Sequence, residues 1–353
     1  MNRFLPLAFL LVVPTQWLVW TLASITTPHP YVIGTLLVLS VLGGGLGFVV
    51  GLSRSTEGGF RKRAFCCLFG LLACGGVGGF VHLVLANDDG EIEVVARLPN
   101  TTLRFEKLRI VTFNVLHGFP DFDEQEMRFQ MTAHEIQQID ADIIILQEAW
   151  STTEHGCLAE RLAKDLNMNF AYARANGSRT LIGFEEGAAI LTRHPLVKAR
   201  RVLLRPREPF WENRIALIAA IDLGGETLTV AGVHLSTSIP DAQVEHLLEV
   251  LPPAELLLVA GDFNADPLSN AIGRLDRAGY TRLAPSEARE SLIHAEPTAV
   301  PKDPIDHVFL TPTSTQKWVV EKSICLLTTR RWHRGLRQAI SDHDAVIVDL
   351  RRR

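Results

Sequence analysis

The chain has 353 residues, 47% hydrophobic and 21% charged, and its 35 Lys and Arg against 39 Asp and Glu leave a formal net charge of -4. That apolar share with so small a net charge excludes a disordered chain, and 26 Gly without a triplet period exclude a collagen-like one. Five cysteines over this length exclude a disulfide-built scaffold, and the length accommodates one large domain or two ordinary ones.

The charge is unevenly spread. Residues 1–86 hold five basic residues (Arg3, Arg54, Arg61, Lys62, Arg63) and one acidic, Glu57, a net of +4 that leaves -8 for the remainder. Within that first quarter the runs 4–25, 31–52 and 64–86 contain no Asp, Glu, Lys or Arg. About 20 helical residues cross a hydrocarbon core of roughly 30 Å, so each run is long enough to span. Helices of globular domains alternate polar and apolar faces, and these do not. Gly43, Gly44, Gly45 and Gly47, with Gly75, Gly76, Gly78 and Gly79, would each weaken a water-exposed helix by about 1 kcal/mol, but between membrane helices they allow close packing. Three transmembrane helices anchoring the chain in a lipid bilayer are therefore expected.

Four of the five basic residues fall in the loop 53–63, which places that loop and the N-terminus on the cytoplasmic side and everything after residue 86 outside. The first run also invites reading as a signal peptide, but its apolar stretch exceeds the usual length and the residues around Ala23 make a poor cleavage site. Residues 87–105 are expected to form a juxtamembrane connection and 106–353 one domain. Cys157 and Cys325, the two cysteines of that part, would be free to pair in an oxidising compartment. Asn100-Thr101-Thr102 and Asn176-Gly177-Ser178 have the form of glycosylation acceptors, relevant only in a secretory pathway.

Beyond residue 106, strand-like runs are expected at 108–115, 142–146, 187–192, 214–222, 227–234, 256–260, 305–310, 318–326 and 345–350. Helical spacing places Phe129, Ala133, Ile136 and Ile139 on one face of 123–139, with Asp123 as N-cap, and 158–166 and 242–251 are similar. Gly224-Gly225 marks a hairpin. Strands covered by helices point to stacked sheets flanked by helices.

Five strand-like runs end in or just before polar clusters: Thr112-Phe113-Asn114, Leu146-Gln147-Glu148, Gly232-Val233-His234, Gly261-Asp262-Phe263-Asn264 and Pro304-Ile305-Asp306-His307. A sixth, Ser341-Asp342-His343, precedes the last. Singly, each is an ordinary turn or packing residue. Together they fit one cleft at the ends of a sheet.

With Thr112-Phe113-Asn114-Val115, Leu146-Gln147-Glu148, Gly187 to Pro195 (Gly-Ala-Ala-Ile-Leu-Thr-Arg-His-Pro), Asn213-Arg214-Ile215-Ala216, Val233-His234-Leu235, Gly261-Asp262-Phe263-Asn264-Ala265-Asp266-Pro267, Ile305-Asp306-His307-Val308 and Ser341-Asp342-His343 in this order, the sequence resembles the endonuclease/exonuclease/phosphatase superfamily. The resemblance covers roughly 106–353 and leaves out the apolar quarter. It implies a four-layered α/β/β/α sandwich with two mixed sheets and the active site at one edge. It also implies hydrolysis of phosphate esters by activated water. Glu148 would hold one Mg²⁺ or Mn²⁺, with Asn114 and Asp342 completing or bordering its shell, since carboxylate oxygens suit such hard cations.

By the same resemblance Asp262 would orient and deprotonate water. Asn264, pointing the same way on an extended segment, would donate to the phosphate. His343, held in its tautomer by Asp306, would stabilise the phosphoryl group or move a proton; His234 is a second phosphate contact and candidate acid, and Arg214 a support. Asp266 and His307 read as structural. The run Asn114-Val115-Leu116-His117-Gly118 lacks the acidic residue that some relatives use for a second metal, so one ion is expected.

A part carrying -8 repels polymeric nucleic acid, whose binding needs several Lys or Arg at phosphates. Two basic stretches stand against this: Arg200-Arg201 through Arg205 and Arg207 before Phe210-Trp211, and Arg330-Arg331-Trp332-His333-Arg334 with Arg337, each expected as a loop at the cleft rim. The preferred reading is a hydrolase of phospholipid or another small phosphate ester. The rival readings are an extracytoplasmic nuclease and, in a different class, a membrane-anchored binding module without catalysis.

Overall fold

The structure, a computed structural model, describes residues 92–95, 106–118, 125–179, 183–207, 213–283, 304–326, 331–333, 336–338 and 340–353. The chain divides into two units, of which one comprises Gly90–Asn176 and Glu185–Arg353, and the fold described is that of this unit. The three apolar runs lie outside the described residues; among the described residues no helix is long and apolar enough to cross a membrane.

In chain order the elements are β1 (Ile92–Val95), β2 (Lys107–Asn114), α1 (Gln125–Ile139), β3 (Ile143–Thr152), β4 (Gly156–Cys157), α2 (Leu158–Leu166), β5 (Asn169–Ser178), β6 (Phe184–Thr192) and β7 (Leu196–Leu203). There follow β8 (Ile215–Asp222), β9 (Thr227–His234), α3 (Pro240–Val250), β10 (Leu256–Asp262), α4 (Asn270–Arg277), β11 (Thr281–Arg282), β12 (Asp306–Leu310), α5 (Pro312–Lys317), β13 (Trp318–Leu326), β14 (Arg331–His333), β15 (Leu336–Gln338) and β16 (Ala345–Arg352).

One sheet runs β1-β5-β6-β3-β2-β16-β13 with β4 against β3, and the other β11-β12-β10-β9-β8-β7. Both are mixed, because β2 and β3 pair in parallel, as do β9 and β10, while β2 with β16, β10 with β12 and β8 with β9 are antiparallel. The central strands are apolar on both faces because both faces are covered. On β10, Leu256, Leu258 and Ala260 enter the cluster between the sheets with Ile110, Ile143 and Ile145. Leu257 and Val259 enter the outer cluster with Val244 and Leu247 of α3 and Ile272 and Leu275 of α4. Each such fully buried side chain contributes about 1.5–3 kcal/mol. Helices α1 and α2 pack together, and α2 lies against β3, which gives the helix–sheet–sheet–helix layering.

Two glycines set close approaches. A Cβ on Gly232 would stand 2.8 Å from Cγ2 of Ile145 on the facing sheet. At Gly261, φ is +149° and a Cβ would stand 1.9 Å from the Val233 carbonyl oxygen, so only glycine lets β10 lie against β9 here.

The expected strands and helices appear with shifted ends, and β8 and β9 form the antiparallel pair marked by Gly224-Gly225. Asp123 and the segment 284–303 lie outside the described residues. Three local expectations are corrected. Part of the expected connection, Ile92–Val95, forms β1 and pairs with β5, as its β-branched residues favour. Arg200 and Arg201 sit in β7, an edge strand paired with β8, rather than in a loop: alternating Val197, Ala199 and Leu203 with basic residues is the pattern of a half-exposed edge. Arg331 stands opposite Gln338, and Arg337 opposite Trp332, in the β14–β15 ribbon, while Phe210 and Trp211 lie outside the described residues. Cys157 and Cys325 are free thiols, which burial pushes up to about 11 and about 12. The side-chain amide of Asn176 is engaged by Glu186 and by the Asn213 carbonyl, and Asn100 lies outside the described residues.

Candidate active site

Strand direction alone brings the polar ends together. Since β9 and β10 run in parallel, His234 and Asp262 stand opposite each other at their C-terminal ends. Antiparallel β12 begins at that same edge, so Asp306 is opposite Asp262 on the other side. On the facing sheet, β2 ends at Asn114 beside Gln147 of β3, and antiparallel β16 enters after the segment Ser341-Asp342-His343.

Asp262 is at the centre and is buried. Its Oδ1 accepts from the Asn264 backbone N–H at 2.8 Å, and its Oδ2 accepts from Asn114 Nδ2 at 3.1 Å. The same oxygen lies 3.5 Å from His234 Nε2 and 3.6 Å from His343 Nε2. Burial, then the Asp306 charge, push this carboxyl above the usual carboxylate range, opposed by His343 and by the Asn264 and Asn114 hydrogen bonds.

The two histidines differ. Nδ1 of His343 pairs with Asp306 Oδ2 at 2.8 Å. Burial disfavours its charged form, but Asp306, through charge and hydrogen bond, with Asp262 and Asp342 behind it, outweighs burial and raises His343 to about 10. His234 lies beside Arg214, whose Nη1 is 2.9 Å from Nε2 and 3.1 Å from Nδ1. Burial and that guanidinium push His234 well below the ordinary imidazole range. One imidazole is thus charged at neutral pH and the other neutral.

Glu148 sits where the backbone of β3 turns left-handed, with φ +55°. Its Oε1 accepts from Asn114 Nδ2 at 3.0 Å and its Oε2 from the His117 backbone N–H at 3.1 Å. Burial opposes its charge, but His117, His234 and these hydrogen bonds prevail and hold the carboxyl at about 2. Asn114 Oδ1 is taken by the Leu116 N–H at 3.1 Å, so Asn114 serves the two carboxylates as a donor and borders the shell rather than lending it an oxygen. Asp342 is exposed, its Oδ1 3.4 Å from Ser341 Oγ.

Among the described residues, one cluster and one lone carboxylate compare as places for a cation. Donor atoms of Asp262, Asp306 and His343 lie within 4.8 Å of one another. There, however, the imidazole nitrogen nearest Asp306 is already committed to it, and the proton on His343 supplies the positive charge the carboxylates need. Glu148 is the better fit: it stays ionised, and its side chain is 16% exposed rather than sealed.

Asn264 departs from the sequence expectation. It is left-handed, φ +46°, in the turn after β10 instead of extended, because its own N–H folds back onto Asp262. One side-chain N–H donates to the Leu235 carbonyl at 2.9 Å, which fixes the amide beside Asp262. His307 bonds the Ala265 carbonyl at 2.8 Å and packs edge-on to Phe263, and Asp266 caps the Leu268 N–H, so both are structural.

Sequence reading passed over Ser341 and Arg128 as site residues. Buried Ser341 donates to the Asn114 carbonyl at 2.6 Å and accepts from the His343 N–H at 3.1 Å, tying two clusters together. Arg128 of α1, buried, donates to the carbonyls of Ile340, Val115 and Leu116 at 3.1, 2.9 and 2.6 Å. Only the presence of a charge at an inward helical position signalled it.

A family model described as Endonuclease/Exonuclease/phosphatase family matches residues 111–343. No curated protein matches. Among solved structures, the chain is similar to an endonuclease/exonuclease/phosphatase from Beutenbergia cavernae, at 21% identity over 70% of this chain and 72% of that one, with a TM-score of 0.56. It is similar to the human Nocturnin catalytic domain with bound sulfate at 18% identity, covering 76% and 98%, with a TM-score of 0.56. For sphingomyelinase C from Streptomyces griseocarneus the values are 19% identity, 69% and 99%, and a TM-score of 0.52.

Proposed function

The chain belongs to the endonuclease/exonuclease/phosphatase family, and from that premise we propose that it is a membrane-anchored, metal-dependent hydrolase of phosphate esters acting on phospholipid or another small phosphorylated substrate outside the cytoplasmic membrane. The observation that carries this reading is the central placing of Asp262, flanked by Asn114, His234 and His343, next to an ionised Glu148.

Glu148, hydrogen-bonded by Asn114, would hold one Mg²⁺ or Mn²⁺, with Asp342 a further candidate for the shell, and the ion when bound would polarise the phosphoryl oxygens and offset transition-state charge. Asp262 orients the attacking water and takes its proton; its raised basicity suits a base working near neutral pH. The two hydrogen bonds from Asn264 and Asn114 fix the direction of its lone pairs. His343, protonated and braced by Asp306, faces the phosphoryl group with positive charge and has a proton to give the leaving oxygen. His234, neutral beside Arg214, is a hydrogen-bonding contact rather than the acid. The second N–H of the Asn264 amide is the donor to a phosphoryl oxygen.

A small or lipid substrate is favoured over a nucleic acid because beyond residue 86 the net charge is -8, which disfavours a polyanion. The purified full-length chain with Mg²⁺ or Mn²⁺, assayed against phospholipid vesicles, DNA and a generic phosphodiester, should release phosphorylated product from the vesicles or the small ester. Robust DNA cleavage with neither of these would contradict the reading. For the anchor, a C-terminal reporter should be active outside the cytoplasm, and activity confined to the cytoplasm would overturn the orientation.

A further inference from the structure

We infer that His117 is a direct ligand of the catalytic cation, making the site a mixed carboxylate–imidazole one selective for a first-row transition dication such as Mn²⁺ over Mg²⁺. The inference rests on the reading of Glu148 as the cation's carboxylate and extends it to a residue that reading left out.

The two oxygens of Glu148 face different neighbours. Oε1 is bound by the Asn114 amide, and Oε2 is the oxygen on the His117 side. That oxygen receives the His117 backbone N–H at 3.1 Å, and His117 Nε2 stands 3.5 Å from it. Two donors that far apart are within reach of one cation whose bonds to each are roughly 2.0–2.2 Å. Both side chains are partly open, 27% exposed for His117 and 16% for Glu148, so an ion can enter.

The approach is built into the backbone on both sides. Leu116, next to His117, and Glu148 itself are each left-handed, with φ of +51° and +55°. The loop carrying His117 is pinned from beneath by Arg128, on the Val115 and Leu116 carbonyls, and by Gln125, whose Nε2 donates to the His117 carbonyl at 3.3 Å. A histidine held this way costs little further ordering when it binds an ion.

The chemical consequence is selectivity. Magnesium favours oxygen ligands and retains its water, whereas first-row transition dications accept imidazole nitrogen, Mn²⁺ the least strongly of them.

The test is Mn²⁺ binding to the purified full-length chain, followed by calorimetry with Mg²⁺ for comparison and by the ¹⁴N modulation of the bound Mn²⁺ electron-spin signal, for wild type, His117→Ala, His117→Asn and Glu148→Gln. Wild type should show directly coordinated nitrogen. Both His117 variants should lose that modulation and lose about tenfold or more in Mn²⁺ affinity, with a smaller change for Mg²⁺. Glu148→Gln should lose binding of both ions. Nitrogen modulation surviving in the His117 variants, or its absence from wild type, overturns the inference while leaving Glu148 as ligand. Unchanged binding in Glu148→Gln overturns the underlying reading instead.

Discussion

Asp306 has one task that can be measured apart from catalysis. It is buried, one oxygen holds His343, and the other has no hydrogen-bond partner among the described residues. By raising His343 to about 10 from an unfolded value near 6.5, this arrangement favours the folded state. A folded pKa raised in this way stabilises fully below about 6.5, and the contribution disappears as pH climbs through about 10. Asp306→Asn should therefore flatten the fall of stability between pH 6.5 and 10, measured by denaturant unfolding, and lower turnover about a hundredfold or more. A wild-type stability that does not decline over that range would refute the pairing. At this scale the sequence was informative about identities and poor about orientation. Asp262, Glu148 and the two histidines were legible as polar residues at strand ends. The left-handed turn of Asn264, the donor role of Asn114 and the opposite charge states of His234 and His343 depend on neighbours brought from other strands.

Between elements, the decisive contact is that of β9 with β10, because it sets His234 opposite Asp262. Gly261 makes it possible, and Gly261→Ala would press a methyl onto the Val233 carbonyl and hold alanine at a positive φ that it resists. Loss of about 2 kcal/mol or more in unfolding free energy is expected, with activity falling further than stability because Asp262 is the next residue. An alanine variant of wild-type stability and activity would show that the strand pair tolerates separation. The same scale explains what periodicity missed. Strand β5, Asn-Phe-Ala-Tyr-Ala-Arg-Ala-Asn-Gly-Ser, carries three Ala and lacks β-branched residues; it is a strand because β1 and β6 pair with it. Strand β7 carries three basic residues and reads as a loop until it is paired with β8. Helix α4 has only eight residues, and its clearest signal was the Ser269 cap, which accepts the Ile272 N–H at 3.3 Å.

Over the whole chain, a uniform composition conceals two objects. The basic, apolar first quarter and the remainder carrying -8 are separable by counting alone, and the family resemblance of the motif blocks over roughly 106–353 implied the layered sandwich. What counting did not reach is the convergence itself: six polar clusters, separated by up to 227 residues in the case of Asn114 and Ser341, meet because two parallel strand pairs end at one edge. From that convergence comes the central claim, that the chain hydrolyses phosphate esters with a bound divalent cation and Asp262 as base. The most direct test measures turnover of a generic phosphodiester by the purified full-length chain after exhaustive chelation and again after Mn²⁺ is restored, with Asp262→Asn in parallel. The account predicts turnover only with the metal present and a loss of about a hundredfold or more in the variant; turnover that survives chelation, or an Asp262→Asn enzyme as fast as wild type, would contradict it.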